Sequence, residues 1–169
     1  MKKILFAAGL CGLAACSPPA EPAADESGTN KVVASGKIDF SIEEVPTEVL
    51  AAAKAARPGF VAAEAQSETR EGRRYFDIGG KLADGSEVEF DIMEEAGRWR
   101  VVETQRDIAL AAAPGSVREA AGSFRAVRVI ESTQQDGIVI YELYDSAKAK
   151  LEIKWDGKRA EVLTREWAH

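Results

Sequence analysis

The sequence predicts an α+β fold, a duplicated α-β-β-β-β unit whose antiparallel sheet carries short helices packed on one face. Three observations lead there. Two proline-led, alanine-rich segments have helical periodicity; the runs after each alternate apolar and charged residues; and glycine-bearing turns separate those runs.

The chain opens with a segment of a different kind. Met1-Lys2-Lys3 is a short basic stretch, and Ile4 to Ala15 is uncharged and largely apolar, ending in small residues, as in an export signal. A helix of that length reaches only ~18 Å, against the roughly 30 Å that a membrane-spanning helix must cross. Leu13-Ala14-Ala15-Cys16 resembles the lipobox of bacterial lipoproteins. The resemblance implies a diacylglycerol on the Cys16 thiol, cleavage just before it and an acylated new amino terminus. Ser17 stands where an aspartate tends to retain lipoproteins in the inner membrane, so it implies the outer membrane of the bacterial cell envelope, facing the periplasm. Cys11 would leave with the signal.

Ser17 to Asn30 contains three of the six prolines, three acids and no large apolar residue. It cannot bury enough surface to offset its ordering entropy and reads as a disordered tether. Extended as polyproline it would reach ~43 Å. Removing Lys2 and Lys3 takes the formal charge from -6 to -8. No basic footprint for nucleic acid or lipid headgroups is visible.

In the first unit, Val45 to Ala56 places Pro46 at the first turn and Val49, Leu50 and Ala53 along one side of a helix, which Arg57-Pro58-Gly59 ends. Strands are expected at Val61 to Thr69, Arg74 to Leu82, Ser86 to Met93 and Arg98 to Thr104, with turns at Glu71-Gly72, Asp84-Gly85 and Gly97. The order then returns. Ala113 to Ala121 predicts a shorter helix broken by Gly122, and strands follow at Phe124 to Ser132, Ile138 to Tyr144, Lys150 to Trp155 and Arg159 to Trp167. Val45-Pro46 aligns with Ala113-Pro114, Phe60 with Phe124, Tyr75 with Tyr141, and Glu87 to Phe90 with Lys150 to Ile153. The expected organisation is a signal at 1–15, a lipidated cysteine and tether at 16–36, and units at 37–107 and 108–169.

The run "VPTEVLAAAKAARPGF", then "YFDIGG", "DGSEVEFDI" and a closing "GRWRVVE", resembles the PepSY-like domain of bacterial envelope proteins, including the beta-lactamase-inhibitor-like group. Pro46, Pro58, Tyr75, Phe90 and Gly97 stand in the corresponding places. The second unit keeps Pro114, Tyr141 and Gly157 but lacks the Pro58-type turn. The resemblance implies a noncatalytic, protein-binding or inhibitory role, with a broad concave sheet in tandem form and an envelope protein as partner. The alternative is a structural or assembly lipoprotein.

Little argues for catalysis. His169, the only histidine, is the last residue, and an acylated Cys16 cannot be a nucleophile. Glu43-Glu44 and Glu94-Glu95 are sequence neighbours that point apart into water. Asp84-Gly85-Ser86 and Asp136-Gly137 lack calcium-loop spacing and read as turns, and Gly79-Gly80 reads as a strand irregularity. No catalytic residue, metal site or cofactor is expected. Trp99 and Trp155 alternate in phase with Val101 and Ile153 and are assigned to the core, while Trp167 closes the core or marks an interface. The candidate partner-binding face is the outward phase of two strands: Glu87, Glu89 and Asp91, acidic, and Lys150, Glu152 and Lys154, mostly basic. These side chains are expected to be solvated.

Overall fold

The computed structural model describes residues 36–167. The signal, Cys16, nearly all of the tether and His169 lie outside the described residues. The elements are β1 (Ile38–Phe40), α1 (Thr47–Ala56), β2 (Val61–Arg70), β3 (Arg73–Lys81), β4 (Glu87–Glu95), β5 (Arg98–Ile108), α2 (Gly115–Ala121), β6 (Arg128–Gln134), β7 (Val139–Tyr144), β8 (Lys150–Trp155) and β9 (Ala160–Val162). Short 3-10 turns, Ile42–Glu44 and Leu110–Ala112, lead into the two helices.

Both helices start for the same local reason. Pro46 and Pro114 hold φ at -53° and -52°, and each proline carbonyl accepts the first helical bonds, from Val49 and Leu50 or from Val117 and Arg118. Val49 and Ala53 in α1, and Val117 and Ala121 in α2, are the residues that each helix buries. Gly122 ends α2 at φ +54°, a backbone conformation that side chains disfavour.

Among the described residues the strands form one nine-stranded sheet in sequence order, every neighbouring pair antiparallel. Two-residue periodicity sorts its side chains. Phe76, Ile78, Val88, Phe90 and Ile92 join α1 in one apolar cluster, and Val129, Val139, Tyr141, Leu143 and Ile153 join α2 in another. Trp99 and Val101 pack on the first cluster and Trp155 on the second, as expected. The two halves meet where β5 pairs with β6, from Glu103 opposite Gln134 to Ile108 opposite Val129.

Several expectations are corrected. The sheet has nine strands instead of eight, because Ile38–Phe40 pairs with Ser67, Gln66 and Ala65 at the edge of β2. Three residues are too few to show alternation in a sequence. β5 runs to Ile108, past the expected Thr104, since β6 supplies a partner for the extra length. β9 stops at Val162 instead of Trp167: the Trp167 amide donates to the Glu152 carboxylate at 2.7 Å, outside any strand ladder. The Tyr75 and Tyr141 alignment also fails by face. Tyr141 belongs to the apolar cluster under α2, whereas Tyr75 lies beneath the Arg70 guanidinium on the side away from α1. A shift of one residue is enough to exchange faces.

Gly79-Gly80 is an irregularity with a cause. The register slips between Ala62 and Glu64 opposite these glycines. A Cβ on Gly80 would stand 2.2 Å from the Val61 carbonyl oxygen and 2.7 Å from the Phe60 ring. That close approach lets Phe60 cross β3 and meet Phe90 edge to face, with centroids 4.9 Å apart.

Candidate functional site

The six candidate residues do lie in the phase opposite the helix-side cluster, since Val88, Phe90, Leu151 and Ile153 occupy the other phase. The expectation that they are solvated is wrong for two of them. Asp91 is 3% exposed and Glu152 6%, while Glu89 and Lys154 are half-buried and Glu87 is exposed. The reason for Asp91 is its neighbours.

The sequence places Phe-Asp-Ile twice, at Phe76-Asp77-Ile78 and Phe90-Asp91-Ile92. The antiparallel register sets these triplets against each other, so that Phe76 faces Ile92, Ile78 faces Phe90, and Asp77 faces Asp91. On the other side of Asp91 stands Glu103 of β5. Three carboxylates therefore adjoin on consecutive strands, Asp77 at 4%, Asp91 at 3% and Glu103 at 2% exposure. Like charges placed directly across a ladder repel, and burial strengthens that repulsion.

Two cations of the chain answer part of this charge. Arg70, at the end of β2, gives Nε to Glu68 at 2.6 Å and Nη2 to both Asp77 at 3.2 Å and Asp91 at 3.0 Å. Its guanidinium lies 4.5 Å from the centroid of the Tyr75 ring. Lys37 reaches in from just before β1, with Nζ 2.6 Å from Asp77 Oδ2. Burial first, then the charges of Asp77 and Glu103, push the Asp91 carboxyl up to about 7 against the opposing pull of Arg70. Burial, followed by Asp77, raises Glu89 as well, with Lys37 opposing. Burial alone would lower Arg70, yet the Asp91 charge and the bonds to Glu68 and Asp91 prevail and hold it above its ordinary value.

Among the described residues, Asp77, Glu89 and Asp91 form the set of three acids whose oxygens all lie within 4.8 Å of one another. Such oxygens suit a cation, and here Arg70 and Lys37 already bring positive charge to them. Next to this set, Glu64, Gly79, Glu89, Gln105, Asp107 and Arg128 line an open cavity of about 290 Å³ on the same face. The described residues include no histidine or cysteine. What the arrangement offers is a buried carboxylate row, partly neutralised by Arg70 and Lys37, with the exposed Glu87 and half-buried Glu89 at its rim.

The second half is arranged differently. Lys150 lies 2.8 Å from Glu152 and 3.9 Å from Glu142, and it also pairs with Glu166 from the C-terminal segment. Burial would lower this ammonium, but the bonds to Glu152 and Glu166 raise it. Lys154 Nζ stands 5.2 Å from the centroid of the Trp167 ring. Trp167 thus belongs to neither apolar cluster.

Sequence reasoning missed Lys37, Glu68, Arg70, Asp77 and Glu103. A signal for one of the five, Asp77, was present: a lone aspartate between large apolar residues, repeated as Phe-Asp-Ile fourteen positions on at the candidate Asp91, with a glycine turn between the copies. Arg70 had none, since its reach across three strands depends on register. No protein-family model matches the chain, and no curated protein matches it either.

Proposed function

We propose that this chain is a lipid-anchored, periplasmic protein-binding module, noncatalytic, that regulates or inhibits an envelope peptidase or hydrolase through the open face of its first half. The observation that carries the reading is the row Asp77, Asp91 and Glu103, three buried carboxylates on adjacent strands with Glu87 and Glu89 at the rim. An acidic rim above this row, on a face that no helix of the described residues covers, suits a partner that presents lysine or arginine. Membrane attachment through Cys16 and placement at the outer membrane belong to the same proposal, supported by the signal and lipobox residues.

The reading includes a duplicated, PepSY-like origin. It is supported by the recurring order of 3-10 turn, helix and four strands, and by Pro46, Val49 and Ala53 matching Pro114, Val117 and Ala121 at identical spacing, buried alike at the two valines and two alanines.

The test is capture of partners from envelope extract with the acylated protein and with its Glu87→Lys/Glu89→Lys variant. A stoichiometric partner whose activity falls on binding, retained by the wild type and weakened roughly tenfold or more by the charge reversal at low salt, supports the proposal. A partner whose activity is unchanged makes the chain an assembly lipoprotein. Unaltered affinity in the variant removes the first-half face as the docking surface.

A further inference from the structure

The open face of the second half is already occupied. β9 ends at Val162, the Leu163 amide still donates to the Glu152 carbonyl at 2.9 Å, and the chain then leaves the ladder. Four residues later the Trp167 amide returns to the Glu152 carboxylate. Glu166 takes Lys150, and the Trp167 ring lies beside Lys154. Residues 163–167 therefore act as a short strap that satisfies the basic side chains of β8 with an acid followed by an aromatic ring.

The strap fits incompletely. Among the described residues, Trp167 Nε1 and Gln134 Nε2 are buried donors to which no side chain or carbonyl offers an acceptor. Both residues line one open cavity of about 310 Å³, together with Val102, Gln135 and Asp136. Buried donors left without acceptors weaken the hold of the segment that covers them. Lys150 also pairs with Glu152 at 2.8 Å, a contact within β8 itself that does not run through the strap.

We propose that the open face of β8 and the end of β6, one strand further across β7, form a receptor groove for an extended segment of a partner protein carrying an acidic residue followed by an aromatic one, and that Glu166-Trp167 is its intramolecular occupant. The acid pairs with Lys150, the ring packs on Lys154, and a main-chain carbonyl just beyond it meets the donor of Gln134. The acidic face of the first half plays no part, so this inference stands or falls separately from the proposed function.

The experiment uses the full chain with Glu166→Ala/Trp167→Ala and a dye-labelled peptide spanning Leu163 to His169. The tethered strap competes in the wild type at high effective concentration, so the variant should bind the peptide roughly tenfold or more tightly than the wild type does. Adding Lys150→Glu to the variant should cancel that gain. Equal binding by wild type and variant, or none by a variant that still melts cooperatively, overturns the groove. Should the variant not fold, hydrogen exchange at the Trp167 amide of the wild type decides. Loss of protection on adding excess peptide supports displacement, and unchanged protection overturns it. A dimer in light scattering that disappears with the strap substitutions would assign the groove to a second copy, and overturns the reading of a different partner.

Discussion

At the scale of single residues, the least expected feature is a carboxylate row where a soluble sheet would place separated charges. Asp91 carries the consequence for pH. Its folded value of about 7 exceeds its ordinary value near 4, so the folded chain binds the proton that the unfolded chain releases. That contribution is full below the unfolded value, falls as pH rises through the window from about 4 to about 7, and is gone above it. The expected outcome is a melting temperature that loses most of this increment on going from pH 5 to pH 8, opposite in sign to ordinary acid denaturation. Asp91→Asn, which keeps an oxygen for Arg70, should flatten the slope; a variant with the wild-type slope would show that Asp91 does not titrate there. Arg70→Ala leaves Asp77, Asp91 and Glu68 without their guanidinium and should cost about 3 to 5 kcal/mol. Denaturant melts of that variant should show a larger loss at pH 8 than at pH 5, because a protonated Asp91 no longer needs the cation.

At the scale of elements, what was legible in the sequence was the local pattern. Proline position, alternation and glycine turns placed both helices and most strand cores within a few residues, since each depends on neighbours within one turn or one hairpin. Strand ends were not legible, because β1, the extension of β5 and the stop of β9 are set by partners distant in sequence. The candidate face followed the same division. Its phase was readable from Val88 and Ile153, but the burial of Asp91 depends on Asp77 and Glu103 arriving from other strands. Gly80 tests the crossing of β2 and β3. Gly80→Ala would drive a methyl into the Val61 carbonyl and the Phe60 ring, so either the slip in β2 opens or Phe60 leaves Phe90. A loss of roughly 1 to 3 kcal/mol by chemical denaturation is expected. Gly79→Ala at the neighbouring position, where the nearest atom is the Glu64 Cβ at an ordinary 3.6 Å, should cost clearly less. Equal losses would contradict the close-approach account.

At the scale of the whole molecule, the question is whether two apolar clusters make two folding units or one. Each cluster has its own helix, and a separate unit of this size would have a marginal core. The sheet argues for one unit, since β5 gives its lower half to the first cluster and pairs with β6 along six residues, from Glu103 to Ile108. Ser132 in β6, fully buried, lies between Gln105 of β5 and Ile140 of β7, so the seam is interior to the sheet. Losing either half would strip that seam and leave a long bare edge. Phe90→Ala removes a side chain with no exposure from the first cluster and should cost roughly 2 to 5 kcal/mol. Trp99 reports on the first cluster and Trp155 on the second, so two proteins with a single tryptophan each, Trp155 and Trp167 or Trp99 and Trp167 replaced by phenylalanine, follow the halves separately. If the seam couples them, Phe90→Ala lowers the midpoint seen by Trp155, in the distant half, by the same amount as that seen by Trp99. A Trp155 midpoint that does not move when the Trp99 midpoint falls would make the halves independent, and the continuous sheet a mechanical join between them.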